Sequence, residues 1–387
     1  MMYVPTFQGL SPIDWLRPAD PNVSCFPFAS KRVAFYRARN AIYYLFNSLN
    51  ALMPRLTVLV PDYNSGNEVL ALRAAGATLR FYRVGRDMQA DLNDIERLCR
   101  AHEPEVLYVI HYLGWPQPIG ALKQLCRDRS MLLVEDCALS LLSEPGGEPL
   151  GSQGDWSIFC LYKTLPVPNG ALLVENTMPV VMQDRLRLRR AGAASVAGRM
   201  AELMVQRLRA RVNGVGEALQ AAKRAVGKAA GALDVNRSKV GDIGFNLADV
   251  DLAMSPASSR LLQRFNYGSI RQQRINNFRA LAAALGDAVT PAYEELPNGA
   301  CPLIYPIMVD DKPAAARALR ARGIDALEFW NYGADAIATE SDDVQFLRSH
   351  VLGLPIHQDV KPRQLEYIAS QFAELYPRAL DHASATC

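Results

Sequence analysis

The feature that most constrains the fold is an alternation of short apolar runs with amphipathic stretches between Val33 and Asn176. Near-continuous apolar runs rich in β-branched residues are typical of strands buried on both faces. The strand candidates are Thr57–Val60, Thr78–Val84, Val106–His111, Met131–Glu135, Ile158–Tyr162 and Ala171–Val174. The helix candidates are Asn40–Leu52, Glu68–Ala75, Leu92–Ala101 and Ile119–Arg129. The alternation predicts an α/β fold, with a mostly parallel sheet and helices on both faces.

The stretch from Ser195 to Lys239 differs from the rest because it is rich in Ala, Arg and Lys and poor in acids. Its apolar spacing predicts a pair of helices, interrupted near Asn213 and Gly214. A basic amphipathic helix is typical of contact with an acidic membrane surface or an anionic substrate. The more ordinary alternative is the solvated face of an inserted helical hairpin, or a contact between subunits.

A second unit follows Gly241. A long helical pattern leads into a mixed region with a strand at Leu303–Val309, a helix at Pro313–Arg322 and a last helix at Pro362–Leu375. We therefore predict a large domain over residues 1–240, with the basic helical insertion at about 195–239. The long helix and a smaller C-terminal α+β domain occupy residues 241–387.

Composition argues against several function classes. Lys and Arg (42) nearly balance Asp and Glu (39), which gives no electrostatic case for nucleic acid as a partner. The seven cysteines are dispersed without a CxxC pair, as expected of reduced thiols rather than disulfides or a structural metal site. The first residues lack the apolar core of a signal peptide, and no later stretch reads as an integral membrane segment. These features predict a cytoplasmic protein without a metal.

Three chemically useful side chains follow predicted strands at their carboxyl ends: His111, Asp136 and Lys163. In an open parallel sheet, ligands bind in the crevice at this edge. Asp136 could pair with a protonated pyridine nitrogen, because a carboxylate at the floor of a crevice needs a cationic partner to stay charged. The alternative for Asp136 is a helix cap.

Lys163 ends an apolar run and precedes a turn rich in Pro and Gly. An apolar setting disfavours the charged form of a lysine, and the neutral amine is the form that attacks an aldehyde. The alternative is a surface lysine whose stem covers apolar residues. An Asp and a Lys at the ends of successive strands favour the pyridine and aldehyde chemistry together.

Two segments carry a resemblance to a known family: HYLGWPQPIGALKQLCRDRSMLLVEDCALSL and GSQGDWSIFCLYKTLPVPNGALLV. They resemble the core of the DegT-type sugar aminotransferases, fold type I enzymes that use pyridoxal 5'-phosphate (PLP). The resemblance continues in VGDIGFNLADVDLAMSPASSRLLQRF and in the C-terminal region. It implies the PLP-dependent transferase (aspartate aminotransferase-like) fold. It also implies that Asp136 pairs with the pyridinium nitrogen and that Lys163 holds PLP as a Schiff base.

The resemblance also marks candidates around the phosphate and the ring. The family's Ser-Gly-Thr phosphate turn is matched by Ala38-Arg39-Asn40, so Arg39 and Asn40 are candidate phosphate ligands. Tyr63 is the candidate for the aromatic ring that stacks on the cofactor, although a strict alignment places Ser65 there.

Other matched positions depart from the family pattern. Cys160 lies near the usual serine before the lysine and is a candidate cofactor contact, and Leu139 replaces a Gln or His near the cofactor's hydroxyl. Asn246 matches an Asn that binds the phosphate of the neighbouring subunit, but Leu247 and Ala248 replace the Tyr-Arg that follows it. A helix N-cap is an equal alternative for Asn246.

Two histidines are further candidates. We expect His111 to organise the cofactor region through its ring nitrogens, with a role as general base as the alternative. His357 lies in a family-like turn that approaches the substrate side, and a purely structural role is its alternative.

The resemblance implies an aminotransferase that moves an amino group from an amino acid, with glutamate as the donor that the family suggests, to a keto sugar that is generally nucleotide-linked. It further implies a homodimer with shared active sites. Two alternatives remain open from the residues. The first is another PLP reaction on an amino acid or sugar, which the departures at Leu139 and Ala248 favour. The second is a non-catalytic PLP-fold binding protein, with the basic stretch as its partner-facing surface.

Overall fold

A computed structural model describes residues 2–20, 23–53, 55–179, 187–212, 244–293, 295–331 and 341–376. Its large sheet has seven strands in the order β1-β7-β6-β5-β4-β2-β3. They are β1 Arg32–Phe35, β2 Thr57–Pro61, β3 Thr78–Tyr82, β4 Val106–Ile110, β5 Leu132–Asp136, β6 Trp156–Cys160 and β7 Ala171–Glu175. Strands β2 to β6 run parallel, whereas β7 is antiparallel to β6 and β1 is antiparallel to β7.

The α/β fold predicted from the alternation is confirmed. All five residues of β4 and of β6 are buried, as near-continuous apolar runs require. The six predicted strands are β2 to β7, and the sequence patterns missed only β1 in this sheet. Strand β1 is a short edge strand whose burial alternates, so it lacks the continuous apolar run of the central strands.

A short helix that was not predicted, α1 Pro12–Leu16, precedes the sheet. The four predicted helices follow β1 to β4 in turn: α2 Ala38–Leu52, α3 Asn67–Ala74, α4 Leu92–His102 and α5 Ile119–Asp128. Helix α2 packs on β1, β6 and β7, α4 packs on β2 and β3, and α5 packs on β5. Helix α4 begins where Asp91 accepts hydrogen bonds from the backbone N–H groups of Asn93 and Asp94. None of the described helices is both long and apolar enough to span a membrane.

The C-terminal half adds a second sheet of four antiparallel strands in the order β10-β11-β9-β8. Its elements are α7 Pro256–Leu262, α8 Tyr267–Leu285, β8 Thr290–Pro291, β9 Tyr305–Met308, α9 Lys312–Ala321, β10 Leu327–Glu328, α10 Asp342–His350, β11 Val351–Leu354 and α11 Pro362–Leu375. The long helix α8 packs along α11. The predicted mixed α+β unit is therefore present, and its outer bounds stay a prediction.

The N-terminal segment packs on this second unit rather than on the large sheet alone. Val4 is buried and forms a parallel bridge with Ile324, through hydrogen bonds to Gly323 and from Asp325. Residues distant in sequence are thus joined across the molecule. The consequence for the site is that residues near Phe7 lie beside the C-terminal unit.

Helix α6, Ala193–Arg211, is the described part of the basic stretch. It packs against the N-terminal segment, where Leu10 N–H donates to Leu203 O (3.1 Å) and Gln206 Nε2 donates to Phe7 O (2.6 Å). A Cβ on Gly9 would lie 2.5 Å from the backbone N of Arg207, so only glycine permits this close approach. The predicted interruption near residues 213–214 lies outside the described residues.

Candidate active site

The carboxyl ends of β4, β5 and β6 open into a cavity of about 360 Å³, which we call the main cavity. Its size is within the range of small-molecule sites. The lining includes residues from the large sheet, from α2 and α3, from α6 and from the second unit. The lining residues are Phe7, Ala38, Arg39, Ile42, Ser65, Asn67, Glu68, Ile110, Asp136, Ala138, Leu139, Cys160, Tyr162, Lys163, Arg199, Leu303, Leu327, Glu328, Phe329, Trp330 and Asn331.

Asp136 is the last residue of β5 and is held in place by two hydrogen bonds. Its Oδ2 accepts from the Tyr108 hydroxyl at 2.5 Å, and its Oδ1 accepts from the Ala138 backbone N–H at 2.8 Å. Burial, followed by the negative charge of Glu68, raises the pKa of the Asp136 carboxyl to about 6, although both hydrogen bonds oppose the shift. The carboxyl is therefore ionised at neutral pH and has a buried charge that a cation would stabilise.

Lys163 follows β6 and lines the same cavity in a half-buried position. Its amine makes no hydrogen bond to another residue in the described part of the chain. The turn after it is fixed by Thr164, whose carbonyl accepts hydrogen bonds from Arg274 Nη2 (3.1 Å) and Gln358 Nε2 (3.0 Å). The backbone that carries the lysine is thus anchored, while the amine itself faces the cavity.

Arg274 is an anchor that sequence reasoning missed. It is fully buried in α8 and also donates from Nη1 to the carbonyls of Pro302 (3.2 Å) and Leu303 (3.0 Å). Its guanidinium therefore joins the lysine turn to the loop before β9. No short motif marks such a residue, because its partners are backbone carbonyls far away in sequence.

The N-terminus of α2 brings Ala38 and Arg39 to the main cavity. Arg39 Nη1 donates to Asn67 Oδ1 at 3.1 Å and also bonds the carbonyl of Gly244. Asn40, in contrast, does not line the cavity, and its Nδ2 donates to Asp249 O at 2.7 Å. Of the two phosphate candidates, the structure brings only Arg39 to the site.

Tyr63 is fully buried and lies outside the lining of the main cavity. Its ring packs against those of Tyr112 (centroids 5.5 Å apart), Phe329 (6.0 Å) and Trp330 (5.3 Å). Ser65 lines the cavity instead, as do two of the rings that pack against Tyr63, those of Phe329 and Trp330. Tyr63 therefore supports a cavity wall, and the stacking role assigned to it stays a prediction that this placement does not favour.

Cys160 and Leu139 both line the main cavity and are buried. Burial raises the pKa of the Cys160 thiol, with the charge of Lys163 opposing the shift, so the sulfur presents a neutral surface. Leu139 and Ala138 add apolar surface after Asp136. The departures from the family pattern thus make this part of the cavity less polar.

His111 is buried beside the cavity but does not line it. Its Nδ1 accepts from the Gln117 backbone N–H (3.1 Å), so Nε2 carries the proton that is donated to Glu135 Oε2 (2.8 Å). Burial opposes ionisation of Glu135, but hydrogen bonds from His111 and from backbone N–H groups hold the pKa of that carboxyl below its ordinary value. His111 therefore braces the strand ends without lining the cavity, and its role in organising the cofactor region stays a prediction.

His357 also lies outside the main cavity. Its Nε2 bonds Pro5 O (3.1 Å), and its Nδ1 accepts from the Asp359 backbone N–H (3.2 Å). Burial, followed by the charge of Arg274, lowers the pKa of His357 to about 3, so the ring is neutral. The geometry supports the structural alternative for this residue.

Asn246 is exposed and caps a short 3₁₀ helix, Leu247–Asp249, by accepting from the Ala248 backbone N–H at 3.0 Å. It does not line the main cavity of its own chain. The N-cap alternative is therefore present in the structure. A contact with a neighbouring subunit stays a prediction.

Sequence reasoning missed the outer part of the lining: Phe7, Arg199 and residues 328–331, which we call the rim. The rim is more exposed than the lining supplied by the ends of the large sheet, Ile110, Asp136, Cys160 and Lys163, which we call the floor. Lys312 Nζ donates to Phe329 O (2.9 Å) and Arg348 Nη1 donates to Trp330 O (3.1 Å), which fixes the backbone of this wall. Only the basic character of α6 gave a signal toward any rim residue.

A sequence profile of the DegT/DnrJ/EryC1/StrS aminotransferase family matches residues 34–229, which contain both Asp136 and Lys163. The chain belongs to this family. Membership confirms the predicted family, and PLP is the cofactor of these transferases.

One relative is the GDP-perosamine synthase of Vibrio cholerae, which is 28% identical over 145 residues. The matched segment is 37% of this chain and only 38% of the length of that relative. This partial match leaves the activity and substrates of the present chain to be proposed from its own site.

Solved structures match over nearly the whole chain and confirm the fold. A Helicobacter pylori aminotransferase involved in the biosynthesis of pseudoaminic acid has a TM-score of 0.68 at 15% identity, covering 97% of this chain and 99% of that one. An E. coli GDP-4-keto-6-deoxy-D-mannose-3-dehydratase with bound hydrated PLP has a TM-score of 0.63 at 14% identity, covering 89% and 88%. The second comparison shows that one fold carries two different reactions.

Proposed function

We propose that this chain is a PLP-dependent aminotransferase that moves an amino group from an amino acid to a keto sugar. The observation that carries the proposal is the placement of Asp136 and Lys163 on one cavity, with Asp136 held by two hydrogen bonds and the turn after Lys163 anchored at Thr164. Family membership supports the reaction class.

The residues of the main cavity fit PLP at three points. Asp136 would hold the protonated ring nitrogen, because a buried carboxylate is stabilised by a cation. Arg39 and the N-terminus of α2 would hold the phosphate through charge-assisted hydrogen bonds and the helix dipole. The amine of Lys163 has no competing hydrogen bond in the described structure and would attach the aldehyde. When bound, PLP supplies an electron sink for the charge left on an amino acid carbon as it loses a proton.

The protein's own groups then divide the remaining work. Asp136 would keep the ring nitrogen of the cofactor protonated, because its carboxylate stabilises the positive charge there. Lys163 Nζ would be the group that takes the α-proton of the amino acid donor and returns it, as general base and then general acid. Leu139, Ala138 and Cys160 surround this region with apolar or neutral groups, which limits competition from water.

The finer parts of the proposal are the donor, the acceptor and the assembly. The family resemblance suggests glutamate as donor and a nucleotide-linked keto sugar as acceptor. The name of the Vibrio cholerae relative, GDP-perosamine synthase, refers to a GDP-linked sugar. A homodimer follows from the match of Asn246 to a residue that acts on the neighbouring subunit. The exposure of Asn246 leaves it accessible for such a contact.

A second candidate is another PLP reaction on a sugar or an amino acid. Leu139 favours it, because an apolar side chain stands where the family has a polar partner for the cofactor's hydroxyl. The dehydratase with the same fold gives this candidate a precedent. Retention of Lys163 favours amino transfer, because this is the residue that would form the Schiff base with PLP.

The experiment is a visible absorption spectrum of the protein with PLP, before and after addition of glutamate. The unmutated protein and the control Lys123→Ala should show the yellow absorption band of a PLP Schiff base, and glutamate should bleach it as 2-oxoglutarate forms. Lys123 is a suitable control because it bonds Gln153 away from the main cavity. Lys163→Ala should lack the band.

Other outcomes separate the alternatives. A lysine-dependent band that no amino donor bleaches would retain PLP and contradict amino transfer, favouring the second candidate. Absence of a lysine-dependent band would contradict the cofactor assignment and favour a non-catalytic binding protein. The basic stretch would then be the first surface to delete in a search for its partner.

A further inference from the structure

We propose that Arg199 of helix α6 is a specificity residue that binds an anionic oxygen group of the substrate, either the carboxylate of the amino donor or a phosphate of a nucleotide-linked acceptor. This inference rests on the proposed function, since it concerns the substrate of the same cavity. Arg199 lines the main cavity together with Lys163 and the rim residues Glu328 and Asn331.

The first argument is that the guanidinium of Arg199 has donors to spare. Its Nη1 donates to Glu202 Oε2 at 2.8 Å, one turn further along the same helix. Its Nε is buried and has no hydrogen-bond partner among the described residues. A buried N–H without a partner costs about 1–3 kcal/mol, so an incoming acceptor would relieve a penalty that the free protein carries.

The second argument is that the acidic residue beside it on the rim is already paired. Glu328 Oε1 accepts from Arg320 Nη1 (2.8 Å), and Oε2 accepts from Asn331 Nδ2 (2.9 Å). Burial opposes ionisation, but these hydrogen bonds hold the pKa of the Glu328 carboxyl below its ordinary value. Glu328 therefore stays charged and satisfied by its own partners, which leaves the donors of Arg199 for a ligand.

The third argument is that α6 is held firmly enough to present one side chain. Its contacts with Phe7 and Leu10 fix it along the N-terminal segment. Further along the helix, Arg207 and Arg211 pair with Asp359 of the second unit. The nearest of these anchors, Leu203, lies one turn beyond Arg199, so the contacts orient the face of α6 that carries Arg199.

The chemistry of arginine selects the kind of ligand. Its planar fork matches two oxygens of a carboxylate or a phosphate, and such bidentate pairs are among the stronger hydrogen bonds. The side chain is 26% exposed, which suits a residue at the entrance rather than at the reacting atoms. We therefore expect Arg199 to influence substrate affinity more than attachment of PLP.

The test measures binding rather than turnover. Isothermal titration calorimetry of the PLP-treated protein uses two kinds of probe, neither of which undergoes amino transfer. Glutarate represents the donor carboxylate, and a nucleoside diphosphate (GDP, UDP or dTDP) represents the acceptor phosphates. Arg199→Gln should weaken one probe by about tenfold or more, as loss of a charge-assisted pair implies. Arg199→Lys should restore part of that loss, because it keeps the charge without the fork.

The matched control is Arg209→Gln. Arg209 lies on the same helix, its guanidinium packs over the Tyr3 ring at 4.1 Å, and it does not line the main cavity. This variant should bind both probes as the unmutated protein does. Circular dichroism of all variants shows whether α6 and the fold are retained.

The outcomes are distinct from those of the proposed function. Weaker glutarate binding in Arg199→Gln assigns the residue to the donor, and weaker nucleoside diphosphate binding assigns it to the acceptor. Unchanged affinity for both probes, or no binding of either by the unmutated protein, would overturn the inference even if the Lys163-dependent band is present. If the Lys163-dependent band is absent but anion binding still depends on Arg199, the proposed reaction is contradicted and the anion site is retained.

Discussion

The floor and the rim of the main cavity are built by different kinds of contact. Asp136 and Lys163 of the floor follow neighbouring parallel strands, so local strand patterns and the sheet order bring them together. The rim joins Phe7, Arg199 and residues 328–331, which meet only because the N-terminal segment, α6 and the second unit pack against one another. The floor is therefore specified by local sequence, and the rim by long-range packing.

This difference suggests a division of labour. The floor presents groups that fit a cofactor common to a whole family, whereas the rim presents groups suited to the part of a substrate that varies. Changes in the floor should abolish cofactor chemistry, and changes in the rim should alter affinity or stability while the cofactor still binds. The following predictions test this separation, beginning with the largest expected effect.

Asp136→Asn should weaken PLP binding and lower kcat by about 10²-fold or more. The amide cannot supply the negative charge that pairs with the ring nitrogen, and loss of one partner of a buried ion pair costs about 3–5 kcal/mol. Fluorescence titration with PLP and single-turnover kinetics would measure the two effects. Near-normal kcat in a folded variant would show that Asp136 only positions the end of β5.

Arg39→Gln should raise the Kd for PLP by about 10–100-fold, because it removes charge-assisted bonds worth about 1.5–3 kcal/mol. Pyridoxal, which lacks the phosphate, serves as the control ligand and should bind both proteins equally. Arg39→Lys should retain part of the affinity for PLP. Equal losses for PLP and pyridoxal would mean that Arg39 matters through its contacts with Asn67 and Gly244 instead.

Gly9→Ala tests the rim through packing. The added Cβ would meet the backbone of Arg207, which can move only with α6, so we expect the free energy of unfolding to fall by about 1–3 kcal/mol. Urea denaturation measures this change. Gly120→Ala is the control, because a Cβ there meets no atom within 4 Å. The Lys163-dependent band should persist in both variants; its loss in Gly9→Ala would break the proposed separation of rim from floor.

Much of the fold and the floor could be predicted from sequence because their signals are local. Apolar runs marked β2 and β4 to β7, β-branched and aromatic residues marked the edge strand β3, and the strand ends marked Asp136 and Lys163. Side-chain direction was harder to infer. Arg39 reaches the cavity whereas the adjacent Asn40 turns to Asp249, and Ser65 lines the cavity whereas Tyr63 packs into an aromatic cluster.

The rim could not be predicted for a related reason. Helix α6 carries several arginines, and helical spacing alone does not say which of them faces a cavity. That choice depends on how α6 docks on Phe7, Leu10 and Asp359, which are far from it in sequence. Arg274 was missed because its partners are backbone carbonyls of distant loops.

The smallest predicted effect concerns Glu68, a buried acid that lines the main cavity. Sequence reasoning did not identify it as a site residue. Its charge is the second cause, after burial, that raises the pKa of Asp136 to about 6. Because Asp136 is ionised above that pKa and neutral below it, PLP binding should weaken as the pH falls through about 6. Glu68→Gln removes a negative charge that opposes ionisation, so it should shift this loss of affinity to lower pH.

The measurement is the Kd for PLP between about pH 5 and pH 8, a range that spans the raised pKa of the Asp136 carboxyl. It compares the unmutated protein, Glu68→Gln and a surface control, Glu96→Gln. Titration of PLP itself is common to all three proteins and cancels in the comparison. Glu96 is 49% exposed on α4 and should leave the profile unchanged. A profile in Glu68→Gln that coincides with the control would mean that burial alone sets the pKa of Asp136. If Glu68→Gln instead lost affinity for PLP at higher pH, Glu68 would stabilise the ionised carboxylate of Asp136, which is the opposite of the effect assigned to it.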